Sequence, residues 1–96
     1  MKAVIVVSTT TRTVYYGYIH EDTPLTQSAY VLERARCVIY WPQGGGLGQL
    51  ANEGPIPETR LGDVEPAKTA ISGVDRVIEV SPEAAQRWDT AAPYRG

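Results

Sequence analysis

The chain is 96 residues long, which is enough for one domain, residues 1–96, with a small core; a chain of this size buries about two thirds of its unfolded surface. Hydrophobic residues make up 43% and charged residues 21%, a balance that excludes an intrinsically disordered chain. The formal net charge is -2 and the arginines are spread along the sequence, so the massed basic face needed for general nucleic-acid binding is not indicated.

Lys2 to Ser8 is nearly continuous Val and Ile, the pattern of a strand covered on both faces. Its apolar run, Ala3 to Val7, is too short for a signal-peptide core or a bilayer span, and no membrane segment is expected. Thr13 to His20 is a second strand, with Val14, Tyr16 and Tyr18 on one face, and the two strands are expected to pair as a hairpin. Gly17 in its middle predicts a bulge or a close backbone approach.

Glu21 to Thr26 reads as a turn, because Pro24 lacks a donor and biases Thr23 away from helix. Ser28 to Cys37 is read as strand for Ala29 to Leu32, a tight turn near Glu33 and Arg34, then strand from Ala35 to Trp41, with helix as the alternative. In the second of these strands Arg36, Val38 and Tyr40 share one side, and Cys37, Ile39 and Trp41 the other.

From Trp41 to Pro55, WPQGGGLGQLANEGP, an apolar strand ends in a cluster of glycines that exposes bare peptide groups, and a binding site would most readily form there. Leu47 to Asn52 predicts a short helical turn, closed by Gly54-Pro55. Ile56 to Glu65 reads as a loop. Lys68 to Ser72 and Val74 to Val80 read as two strands meeting at Gly73.

Ser81-Pro82-Glu83 announces a helix: a hydroxyl cap, a proline at the first helical position and an acid where the helix dipole favours one. It runs to about Thr90, and its Trp88 should lie against the sheet. These elements define an α+β fold: a small, mainly antiparallel sheet of five to six strands, one C-terminal helix, and a Gly-rich loop carrying a short helical turn. Six tyrosines and no phenylalanine suit half-buried or interfacial positions, and with a thin core they point to a homo-oligomer.

Tyr40-Trp41, then Gly46-Leu47-Gly48-x-Leu50-Ala51, Gly54-Pro55 and VDRVIEVSPEAAQRW resemble a family of small uncharacterised proteins encoded by phages and prophages. The chain departs from that pattern in its extra glycines and in Arg76. The resemblance implies an accessory protein of the host cytoplasm that binds and blocks a host protein, including components of antiviral defence. It carries no enzymatic activity over.

The glycine run matches neither the phosphate-binding P-loop, which needs Lys-Ser/Thr after its glycines, nor the dinucleotide fingerprint, which needs a βαβ unit. His20 and Cys37 are a nucleophile and base in residue type only, and a lone strand cysteine is more often a small core residue. One His, one Cys and scattered acids lack metal-ligand spacing, and no cofactor or metal is expected.

The candidate partner-binding residues are therefore Tyr40, Trp41, Gly44, Gly45, Gly46, Leu47 and Gly48. Arg76 stands on an otherwise apolar strip, where a long side chain usually carries its guanidinium out to water. Arg36, Arg60 and Arg76 are the candidates for an anionic ligand. The preferred reading is a non-enzymatic protein that binds and inhibits a host factor. The alternative is a protein that sequesters a nucleotide signal in pockets at an oligomer interface.

Overall fold

Strand β1 (Lys2–Ser8) owes its unbroken run of Val and Ile to its place near the middle of the sheet, with apolar clusters above and below it. In the computed structural model, which describes residues 1–42 and 46–95, Ala3 and Ile5 join a cluster on one face of the sheet. Val4 and Val6 join a second cluster on the other. Strand β2 (Thr13–Ile19) pairs antiparallel with β1 from Lys2↔Ile19 to Ser8↔Thr13, the expected hairpin. The connecting turn closes with Arg12 N–H donating to the Thr9 carbonyl at 3.3 Å.

Strand β3 (Tyr30–Tyr40) is one continuous strand of 11 residues, where the sequence predicted a turn at Glu33 and Arg34. The physical reason is a β-bulge. Tyr18 pairs with Glu33 but Tyr16 pairs with Arg36, so β3 carries one extra residue, and Arg34 takes a φ of 53°. The bulge also shifts the alternation, which lets Leu32 and Ala35 enter the same cluster although they are three positions apart. Gly17 stands opposite and makes room: a Cβ there would lie 3.0 Å from the Leu32 Cβ and 3.4 Å from the Ala35 Cα.

The sheet is completed by β4 (Arg60–Leu61), β5 (Thr69–Ile71) and β6 (Arg76–Glu79). Every pairing is antiparallel, in the order β4-β3-β2-β1-β6, with β5 also on β3. Two details differ from expectation. A short strand, β4, interrupts the loop expected over Ile56 to Glu65. The two strands flanking Gly73 diverge to opposite edges, β5 to β3 and β6 to β1. Between β4 and β5 the chain stays along β3, since Gly62 and Glu65 donate to the carbonyls of Cys37 and Ala35.

Helices α1 (Gly46–Glu53) and α2 (Pro82–Thr90) both pack on the face that carries Ile5, Tyr16 and Val38. Helix α1 exceeds the single turn expected and ends where Gly54, at a φ of 90°, donates to the Leu50 carbonyl at 3.0 Å. Helix α2 starts as its sequence predicts, with Ser81 Oγ accepting from the Ala84 N–H at 3.2 Å. Trp88 is fully buried, stacks on Tyr16 at 5.0 Å between ring centroids, and donates Nε1–H to the Leu50 carbonyl at 3.0 Å. One indole thus locks α1, α2 and β2 together.

Candidate functional site

The end of β3 runs past its neighbour β2, and there side chains leave the core for solvent. Ile39 is 54% and Tyr40 47% exposed. Tyr40 pairs with Arg60 of β4, whose guanidinium carbon lies 5.3 Å from the centroid of the Tyr40 ring and 4.8 Å from that of Tyr94. Tyr94 is brought there by the chain after α2. Its N–H donates to the Leu61 carbonyl at 2.8 Å, and Arg95 forms a fork of two 3.2 Å bonds to Asp63. Leu61 is buried, so it anchors β4 in the core and fixes the height of Arg60 above it.

An open depression of about 660 Å³ lies at this corner, lined by Tyr40, Glu58, Thr59, Arg60 and Tyr94. Its floor begins in a tight turn, with Thr59 N–H donating to the Ile56 carbonyl at 3.0 Å. Pro57 takes the second position and Glu58 the third, at a φ of 74°, where glycine or asparagine is favoured. The Thr59 hydroxyl is buried and has no hydrogen-bond partner among the described residues. A strained residue, an unsatisfied hydroxyl and a stacked arginine thus occupy three consecutive positions.

The candidate partner-binding residues separate into three groups. Tyr40 is at the exposed corner. Trp41 and Leu47 are partly buried against the helix-side cluster, while Gly46 and Gly48 would present an added Cβ to open space. Gly44 and Gly45 lie outside the described residues.

The three candidate arginines are not brought together. Arg36 is only 2% exposed; its Nε donates to the Gly62 carbonyl at 3.0 Å and its Nη1 to the carbonyls of Trp88 and Ala91 at 2.7 and 2.8 Å. It caps the negative end of α2 from inside the protein. Burial pulls its pKa below the ordinary guanidinium value, while Asp63 and Asp89 act the other way. Arg76 is exposed on β6, opposite Val7 and at the other end of the strand order from β4. Arg60 alone of the three lines the depression.

His20 and Cys37 do not meet. Cys37 pairs with Tyr15, and His20 follows five positions further along the chain from Tyr15, about 16 Å at the rise of a strand. Burial, and then the Glu65 carboxylate, push the Cys37 thiol up from its ordinary pKa, so the nucleophilic thiolate is disfavoured at neutral pH. Among the described residues no three His, Cys, Asp or Glu side chains are grouped to hold a metal ion. No helix among the described residues is long and apolar enough to cross a membrane.

Sequence reasoning missed Glu58, Thr59 and Tyr94, because each matters only once β4 and the last residues are placed beside β3. It also missed a polar cluster under α2, in which the Tyr16 hydroxyl donates to Asp89 Oδ1 at 2.8 Å and the Tyr18 hydroxyl to Oδ2. Arg34 approaches the same carboxylate at 3.8 Å. The alternation that put Tyr16 and Tyr18 on one face was the available signal.

Fold and site define a small α+β domain, a helix-backed antiparallel sheet with an aromatic and arginine corner at one edge. The chain belongs to the family described as Domain of unknown function (DUF6948), whose model matches residues 1–88. No curated protein and no solved structure matches it. Tyr94 and Arg95 fall beyond the matched residues.

Proposed function

We propose that this protein is a non-enzymatic binding protein, a phage-encoded accessory protein that docks on a host protein and inhibits it, with an antiviral defence component as the target class. The phage setting comes from the sequence resemblance. The observation that carries the docking reading is the exposed stack of Tyr40, Arg60 and Tyr94, held across three adjacent segments at the point where β3 gives way to the glycine-bearing segment. Tyrosine and arginine are the residues that most often anchor protein interfaces, since they offer large contact area and directed hydrogen bonds for little lost freedom.

Host cytoplasm is the proposed setting, consistent with a chain whose lone cysteine can form no internal disulfide. A second copy of the chain is proposed to cover the sheet face opposite the helices, where Tyr15 and Cys37 are only partly buried and Ile39 is exposed; light scattering gives the subunit number. The nucleotide-sequestering alternative has less support, because Arg36, Arg60 and Arg76 stand apart.

The test is capture from host lysate with wild-type protein and Tyr40→Ala in parallel. A host protein held by the wild type should lose about 2 kcal/mol of affinity, near thirtyfold, with the variant. Capture that ignores Tyr40 and Arg60 alike sinks this reading.

A further inference from the structure

Arg60 is the single cation among the described residues lining the depression; the others are two tyrosines, a threonine and Glu58. Among the described residues no carboxylate lies within ion-pair distance of it, whereas Arg34 and Arg95 each have one. The two phenol rings attract the guanidinium without neutralising it. They also hold the side chain over β4, so less rotamer freedom is lost when something binds it.

A guanidinium stays charged at any physiological pH, and its planar fork matches an oxyanion by two parallel N–H···O bonds. What remains open at this corner is a fixed positive fork between aromatic surfaces.

We infer that Arg60 receives a carboxylate of the docking partner, an Asp or Glu side chain flanked by an apolar residue that lies against Tyr40 and Tyr94. This rests on the docking reading above and names the chemistry of the partner. The charge count selects carboxylate over phosphate. Phosphorylated motifs carry close to two negative charges and are held by clusters of arginines. Here one guanidinium stands with the Glu58 carboxylate in the same depression, and a monoanion is what a lone fork can match.

The experiment pans a random 12-residue peptide library on the immobilised wild-type protein, with counter-selection on Tyr40→Ala. The peptides retained should share an Asp or Glu beside an apolar residue. By fluorescence anisotropy, a synthetic consensus peptide should lose at least tenfold in affinity with Arg60→Gln, and the same when its own acid is replaced by the matching amide. Both changes together should cost little more than either alone. Arg60→Lys should restore only part of the loss.

Peptides that depend on Tyr40 but carry no shared acid, or bind Arg60→Gln unchanged, overturn the carboxylate assignment and leave docking intact. A phosphoserine peptide bound tenfold more tightly than its Asp counterpart also overturns it. A library that yields no Tyr40-dependent binder overturns both. Melting temperatures of the variants, unchanged because Arg60 is exposed, separate lost binding from lost fold.

Discussion

The guanidinium of Arg36 donates to the carbonyl of Trp88 at 2.7 Å, from the middle of a strand to the last turn of a helix 52 residues away. The same nitrogen reaches Ala91 and Nε reaches Gly62, so one buried cation joins β3, the residue after β4 and the end of α2. Hydrogen bonds from a charged donor contribute more than neutral ones, and each carbonyl left without its donor inside the protein costs about 1–3 kcal/mol. Arg36→Ala should therefore lose at least about 3 kcal/mol in urea unfolding. Arg36→Lys keeps the charge but lacks the fork and should also be destabilised, by less. A loss under about 1 kcal/mol for Arg36→Ala would mean that these bonds are made equally well by water.

Tyr16 sets a pH limit on the fold. Burial first, then its bonds with Tyr18 and Asp89, push its hydroxyl pKa well above the ordinary value of 10.0. The folded state thus holds its proton at a pH where the unfolded chain has released it. The stabilising contribution is complete below about pH 10 and declines above it, by up to about 1.4 kcal/mol per pH unit. Tyr15, Tyr18 and Cys37 are raised as well, burial being the first cause for each, and they add declines of their own, that of Cys37 beginning at the lower pKa of a free thiol. The measurement is therefore the difference between Tyr16 and Tyr16→Phe in a shared Cys37→Ala background. Urea midpoints from pH 8 to pH 11 should fall steeply at the upper end for Tyr16 and much less for Tyr16→Phe. Parallel curves would show that Tyr16 ionises in the folded protein as freely as outside it.

Much of this architecture was legible because it is local. The hairpin of β1 and β2, the Ser81 cap and the inward face of Trp88 follow from periodicity and from residue types whose roles depend on near neighbours. What could not be read depends on partners far along the chain. The bulge at Arg34 disguised one strand as two because an extra residue reverses the alternation on which strand assignment rests. β4, only two residues long, carries no pattern of its own and exists because β3 offers it an edge. The site was half legible: Tyr40 and Arg60 stood among the candidates, but their pairing with each other and with Tyr94 needs the register of β4.

Gly17 gives the bulge its own test. An added methyl would meet the Leu32 Cβ at 3.0 Å and the Ala35 Cα at 3.4 Å, and backbone at a sheet centre cannot readily withdraw. Gly17→Ala should cost about 1–3 kcal/mol, the ordinary penalty of overpacking, although alanine is the better residue in most extended segments. A neutral or stabilising result, read by thermal unfolding, would place Leu32 further from β2 than this geometry has it.

Glu58 and Thr59 each sit at a local energetic disadvantage, and reversing it separates a binding role from a structural one. Glycine at position 58 removes the strain of a left-handed φ but adds freedom to the unfolded chain, for a net gain of roughly 0.5–1 kcal/mol. Thr59→Val removes the unsatisfied hydroxyl at nearly constant volume and should gain about 1 kcal/mol. Both variants leave the Tyr40, Arg60 and Tyr94 stack in place. If the Thr59 hydroxyl serves the partner, Thr59→Val will melt higher than the wild type yet bind the Tyr40-dependent peptides more weakly, whereas Glu58→Gly, which takes a negative charge out of the depression, will melt higher and bind the acidic peptides at least as tightly. Unchanged affinity of Thr59→Val at higher stability would confine the site to the two rings and the guanidinium, and a drop in melting temperature would show that the turn needs both side chains for its own shape.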